Sequence, residues 1–377
     1  MEKRIMNKFA RTLIAASALA TLAGASFAAS VQVYGRVDNG LYYVHEKAGS
    51  TKTNSFSMES GMGGASRWGI KADSDEIAPG WKVSVKLEGK VCTDDGTLGT
   101  DNTIFDRESS IIVASPYGKL QFGRIGYLHG GVTGGLVAGQ TNPFGVIYKI
   151  CGAQKLFMNA ASRTPNTIRY ETPSFSGFSL ATQWCNSNSN DDEANSLPDR
   201  QRYFGIGANY KNGPLRIAAV YGALYYKNSA KVAGKKQTAT GDEHSFSFAA
   251  NYDFGTAKAY AGYQYGKNLG STKILDSYII GAEVHNAIVG VSVPVGNGTI
   301  MASAGLSKAK DGKSTHSSRT IVKQDGYQCA LGYKYAFSKK TAFYSTAAYQ
   351  YKKATNKNSS VVKTKTLALM AGLGVNF

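Results

Sequence analysis

From Val31 onward, the chain reads as short stretches in which apolar and polar side chains take turns. Val31, Val33, Gly35 and Val37 alternate with Gln32, Tyr34, Arg36 and Asp38, and Trp68, Ile70 and Ala72 alternate with Arg67, Lys71 and Asp73. Trp81, Val83, Val85 and Leu87 do the same with Lys82, Ser84, Lys86 and Glu88. A period of two puts each set on its own face of a β-strand. A sandwich would place charges outward on only part of its surface, whereas here nearly every strand has a fully polar face. The connections alternate too. Short turns fall at DEIAPG, SPYG, PSFSG, KNGP, DFGT, VGNG and SKK, with longer stretches at 47–57, 91–103, 126–163, 186–200, 227–243, 267–283, 309–325 and 352–364. Seven short turns and eight long loops predict an all-β fold, a 16-stranded antiparallel transmembrane β-barrel with both chain ends on the short-turn side.

The N-terminus adds an export signal. Lys3, Arg4, Lys8 and Arg11 precede the apolar run from Leu13, and Ser26-Phe27-Ala28 supplies small residues for cleavage after Ala28 or Ala29. The expected organisation is a signal peptide over 1–28 and a barrel over 29–377. No later stretch reaches the roughly 18 apolar residues of a spanning helix, and a mean hydropathy of −0.25 is too polar for a bundle of them. The 43 Gly, 23 Tyr and 16 Phe against 8 Pro fit many strands and tight turns. The formal charge is +18, and the signal carries four basic residues and Glu2, so a large positive surplus remains. In an exported protein that surplus points to anionic lipid and anionic solutes, not nucleic acid.

The longest interruption of the strand pattern, Gly126–Arg163, is Gly-rich but carries Leu136, Val137, Phe144, Val146, Ile147, Tyr148, Leu156, Phe157 and Met158. Structureless loops longer than about 15 residues are uncommon unless functional or disordered, and this apolar content requires a surface to pack on. The segment holds no Asp or Glu; its basic residues are Lys149, Lys155 and Arg163. It is expected to fold into the barrel lumen and to set what passes.

Other features weigh less. Aromatic clusters at Tyr42-Tyr43, Tyr225-Tyr226, Tyr260/Tyr263/Tyr265, Tyr333/Tyr335/Phe337 and Phe343/Tyr344/Tyr349/Tyr351 suit the two interfacial girdles of a membrane barrel. Inward faces show few aromatics beyond Tyr34, which disfavours a sugar slide. Cys92, Cys151, Cys185 and Cys329 lack metal-ligand spacing. A Cys151–Cys185 or Cys151–Cys92 disulfide is possible in an oxidising compartment, and Cys329 alternates with Tyr327, Leu331 and Tyr333 on a lipid-side face. The acidic run Asp191, Asp192 and Glu193 is open to a divalent cation or to plain solvation. His244-Ser245 beside Asp242 and Glu243 is the one local cluster resembling a nucleophile with a base; no catalytic residue, cofactor or metal is expected.

Together, VYGRVDNG, SRWGIK, FDRESS…YGKLQFGR, NPFG, NTIRYETPSFSGFSL and the terminal GVNF resemble the trimeric general porins of Gram-negative bacteria over the whole mature chain. The resemblance implies an outer-membrane homotrimer in contact with lipid and lipopolysaccharide, and a third external loop that narrows the pore opposite a ladder of basic wall residues. Matched by motif, the ladder falls on Arg36, Arg67, Arg107 and Arg163, with Lys149 and Lys155 adding charge from the loop. Asn142, Pro143, Phe144 and Gly145 anchor that loop. Cation-preferring members carry carboxylates near this motif, and this chain has none there. Unit charges about 4 Å apart interact by about 4 kcal/mol at an effective dielectric of 20, and basic rings without counter-charge favour anions. The expected function is passive diffusion of small hydrophilic solutes with weak to moderate anion selectivity. Asp38, Asp73 and Glu88 stand to neutralise part of the ladder. The alternatives are a channel specific for one class of anionic solute, and a barrel serving as adhesin or structural anchor.

Overall fold

The structure, a computed structural model, describes residues 30–100, 103–158, 160–186, 202–225, 242–268, 272–274, 277–279, 282–310 and 321–377. The expected signal peptide and the acidic run Asp191–Glu193 lie outside these residues.

The alternating stretches form one antiparallel sheet: β1 (Ser30–Ala48), β2 in two halves (Thr51–Ser60 and Arg67–Ala78), β3 (Trp81–Lys90), β4 (Glu108–Ser115), β5 (Gly118–Gly126), β6 (Arg163–Glu171), β7 (Phe178–Cys185) and β8 (Arg202–Asn212). It continues through β9 (Leu215–Tyr225), β10 (Glu243–Asp253), β11 (Lys258–Lys267), β12 (Glu283–Val295), β13 (Gly298–Lys310), β14 (Ile321–Ala336), β15 (Thr341–Asn356) and β16 (Val361–Asn376). Each strand pairs with its sequence neighbours, and β1 closes the barrel against β16 from Arg36↔Asn376 to Ala48↔Thr364. The paired segments number 17 because β2 is broken; counted as one strand it makes the closed 16-stranded barrel. Closure leaves no open edge, so every strand finds ladder partners in a solvent that offers none. The final residue takes part, since Gly35 and Phe377 exchange backbone hydrogen bonds at 3.2 and 3.1 Å.

The break in β2 corrects the first expected loop. Instead of a loop over 47–57, β1 and β2 meet in a tight turn at Gly49–Ser50, and the irregular backbone sits at 61–66 inside the barrel. Asp38, fully buried, organises this break. Its carboxylate takes Arg36 at 2.7 Å, the Gly63 N–H at 3.1 Å and the Tyr344 hydroxyl at 2.8 Å, while Gly61 turns with φ +74°. The last expected loop is also shorter, for β15 runs to Asn356 and β16 begins at Val361. Within 267–283, Thr272–Ile274 and Ser277–Ile279 pair as a small hairpin.

Of the expected girdle aromatics Tyr263, Tyr333 and Phe337 are exposed, joined by Tyr117, Phe175 and Phe254 near the short turns and Tyr221, Phe246 and Tyr327 near the long loops; Tyr226 lies outside the described residues. Three assignments change. Tyr42 and Tyr344 point inward against the long loop, and Tyr260 lines the lumen, so the interior is richer in aromatics than Tyr34 alone suggests. All four cysteines are free. Cys151 lies against Thr346 at 3.5 Å and Cys185 against the Pro165 carbonyl at 3.0 Å, so neither candidate disulfide forms. Cys329 is exposed on the outer face. His244 and Ser245 take opposite faces of β10, His244 bonding Tyr221 outside and Ser245 the Gly222 carbonyl inside, so they make no nucleophile–base pair.

Candidate functional site

The segment after β5 folds back into the barrel and lies along one side of it. Three single turns of 3₁₀ helix, Ala138–Gln140, Lys149–Cys151 and Ala153–Lys155, give it shape. Its apolar residues Val137, Ala138, Leu156, Phe157 and Met158 are buried against Ala181, Ala218, Val220, Ala249, Val284 and Ile288 of the wall. The wall therefore carries small or branched apolar residues beneath the apolar part of the loop.

The NPFG turn seats the loop. The Asn142 side chain accepts the Phe144 N–H at 2.8 Å and donates to the Gly145 carbonyl at 3.0 Å, a local bond pattern for which Asn is favoured in turns. Gly145 follows at φ +61°. Phe144, 1% exposed, meets Tyr148 edge to face at 5.6 Å, and Tyr148 meets Tyr344 at 5.3 Å. Wall glycines receive these parts: a side chain on Gly332 would reach Phe144 at 2.8 Å, and one on Gly290 would reach Pro143 at 2.5 Å. Wall polar groups satisfy the loop backbone, as buried peptide groups require. Gln264 accepts the Met158 N–H at 2.6 Å, Arg169 donates to Gly134 at 2.6 Å, and Tyr148 N–H donates to Met62 of the β2 break at 2.8 Å. At the root of the loop His129 is buried between Tyr127 and Tyr203, ring centroids 5.3 and 6.0 Å away. Among the described residues its Nε2 has no hydrogen-bond partner, and burial lowers its pKa from 6.5 to about 4.

A cavity of about 1070 Å³ remains between the loop and the bare wall. Arg67, Lys86, Lys90, Arg107 and Arg163 line it from β2, β3, β6 and the segment before β4, Lys149 from the loop, and Arg216, Lys258 and Lys334 from β9, β11 and β14. Among the described residues, one acid, Glu88, stands against these nine cations. Glu88 is shared by Arg107 at 2.6 Å and Arg67 at 3.4 Å. Lys86 pairs with Glu108 at 2.6 Å and Lys149 with Glu59 at 2.7 Å. Arg163 donates to the carbonyls of Arg107 and Ala161. Among the described residues, Lys90, Arg216, Lys258 and Lys334 have no carboxylate in ion-pair range.

Of the groups singled out from sequence, Arg67, Arg107, Arg163 and Lys149 stand on the cavity wall; Arg36 and Lys155 do not. Arg36 is held on Asp38 beneath Gly64, with only 13% of its side chain exposed. Gln154 takes the lining position beside Lys155. Asp73 pairs with Lys71 away from the cavity. Arg216, Lys258 and Lys334 were missed because each stands within a few residues of a short turn, where a charge reads as solvated. Continuing the inward period of two from Ala218 to Arg216 would have found the first.

A closed barrel with an apolar outer belt, a polar lumen and an inserted loop defines a membrane pore. The chain belongs to the Gram-negative porin family, whose model matches residues 15–356. It is 28% identical to an outer membrane porin protein of Bordetella pertussis over 381 residues, covering 90% of this chain and 94% of that one. It is 27% identical to outer membrane porin protein 32 of Delftia acidovorans over 377 residues, covering 96% and 94%. In fold it is similar to an anion-selective porin from Comamonas acidovorans, with TM-score 0.65 and 21% identity over 93% of this chain and all of that one. The outer membrane channel DcaP of Acinetobacter baumannii gives TM-score 0.63 at 14% identity, over 93% and 97%.

Proposed function

We propose that this chain is exported on its N-terminal signal and forms a water-filled outer-membrane pore for passive diffusion of small hydrophilic solutes, with a weak to moderate preference for anions. The observation that carries the preference is the lining of the cavity, nine cations around a single carboxylate that two arginines already share. Low-dielectric walls concentrate that field and raise the local density of anions. Arg67, Arg107, Arg163 and Lys149 act at the constriction, and Arg216, Lys258 and Lys334 extend the positive lining toward the short-turn mouth. Arg36 acts from behind, by fixing Asp38 and the β2 break. The fold is shared with a Vibrio cholerae outer membrane protein described in a trimer form, which supports a homotrimer; the apolar residues exposed on the outer face support contact with outer-membrane lipid, lipopolysaccharide included.

Recording in planar bilayers under a salt gradient tests the reading. The expected result is stepwise conductance with a reversal potential favouring chloride, and a shift toward cations when Arg67 and Arg107 are replaced by Glu. An unchanged reversal potential in that double variant would remove these residues from the constriction. Saturation by one solute would instead identify a channel specific for that solute.

A further inference from the structure

One turn of the inserted loop is held in a backbone shape that its residues do not favour. Tyr148 and Lys149 follow one another at φ +63° and +51°, the left-handed region in which a bulky side chain crowds its own backbone. Gly145, three residues earlier, takes the same region at φ +61° without that crowding. Strain of this kind persists only where the surroundings over-determine it, and here they belong to the two sides of the β2 break. The Tyr148 N–H donates to the Met62 carbonyl at 2.8 Å, and the Tyr148 ring is wedged between Phe144 and Tyr344. The Lys149 ammonium donates to Glu59 at 2.7 Å and lies over the Tyr42 ring, 5.4 Å from its centre.

That ion pair straddles the edge of the solute space. Lys149 lines the cavity, and Glu59 stands behind it, off the lining. The two side chains are 31% and 32% exposed. A pair this open to water is a weak tie, so a solute anion in the cavity competes with Glu59 for the same ammonium. Charge decides the contest. A monoanion only matches the Glu59 carboxylate, which is tethered beside Lys149 and so present at high effective concentration. A dianion at the same distance attracts the ammonium about twice as strongly, and the other lining cations draw it in. Glu59 is not stranded when Lys149 leaves it. Its Oε1 accepts from the Ser57 hydroxyl at 3.1 Å, and the Lys90 charge reaches it at longer range.

We propose that Glu59 sets the preference of the pore among anions. It holds Lys149 back from monovalent solutes and yields it to a divalent oxyanion, toward which the strained turn releases the ammonium. The inference rests on the reading of the lumen as an anion-preferring pore and adds to it a discrimination by valence.

Chloride conductance in planar bilayers, with potassium sulfate titrated in at constant ionic strength, tests it. Sulfate is expected to lower the wild-type chloride conductance saturably. In E59Q, which removes the competitor, half-saturation comes at about fivefold lower sulfate, the upper end of what a half-exposed ion pair holds back. K149Q raises the half-saturating concentration and abolishes the effect of E59Q, so that K149Q and E59Q/K149Q coincide, as a shared contact requires. In K149R, which keeps the charge, E59Q again shifts the titration. Equal half-saturation in the wild type and E59Q overturns the proposal. So does an E59Q effect of full size in the K149Q background, which would belong to the overall charge of the lumen and not to this contact. A wild-type channel that prefers potassium to chloride defeats the pore reading itself, whereas one that prefers chloride and fails the sulfate test defeats this inference alone.

Discussion

Single residues show where the barrel spends its polar groups. Glu88 and Asp38 both read from sequence as acids on a lumen face, and the structure separates them: Glu88 meets the solute space between Arg67 and Arg107, while Asp38 is buried as a structural hub. Period-two alternation assigns a face and not a depth, so it could not distinguish the two. His129 carries a testable consequence. It is buried neutral with its pKa lowered to about 4 from 6.5, so the unfolded chain binds more protons between these values. Its contribution to stability is full above pH 6.5 and is lost as the pH falls toward 4, a change on the order of 3 kcal/mol. Melting followed by circular dichroism should show this slope in the wild type and a flatter one in His129→Gln. An identical slope in both would place the acid sensitivity elsewhere.

At the level of elements, the inserted loop and the wall beneath it form one fitted pair. Apolar content and the missing acids marked the loop in the sequence, because both are local properties. Its seat was not legible. Gly290 and Gly332 look like ordinary strand glycines until the loop is folded over them, and Gln264 and Arg169 look like lumen polar groups until they are found bonding its backbone. The partner of Lys149 was hidden for the same reason: Glu59 is 90 residues away and reaches it only because β2 curls beside the loop. Gly290→Val forces Pro143 off the wall, since even a Cβ stands 2.5 Å from its ring. Single-channel recording should then give an altered conductance with more frequent substates, the NPFG turn having lost its seat. Unaltered conductance would show that the turn is held by its other contacts.

Across the whole molecule, strand number and closure followed from turn lengths, although two loops were misplaced because the strands run on past the membrane at the β1–β2 and β15–β16 hairpins. The lining was understated for a related reason. Its cations come from seven strands or strand-flanking segments and the loop, and no single stretch of sequence shows a ring. That ring has one further consequence, in the shape of its field. The loop faces the wall with neutral groups and one compensated lysine, so no negative pole stands opposite the positive one. A constriction of this kind responds to a solute's net charge and exerts little torque on its dipole. Two zwitterionic isomers of equal size, one with adjacent and one with widely separated charges, should enter liposomes carrying the protein at the same rate, as measured by swelling, and a monoanion of that size should enter faster than either.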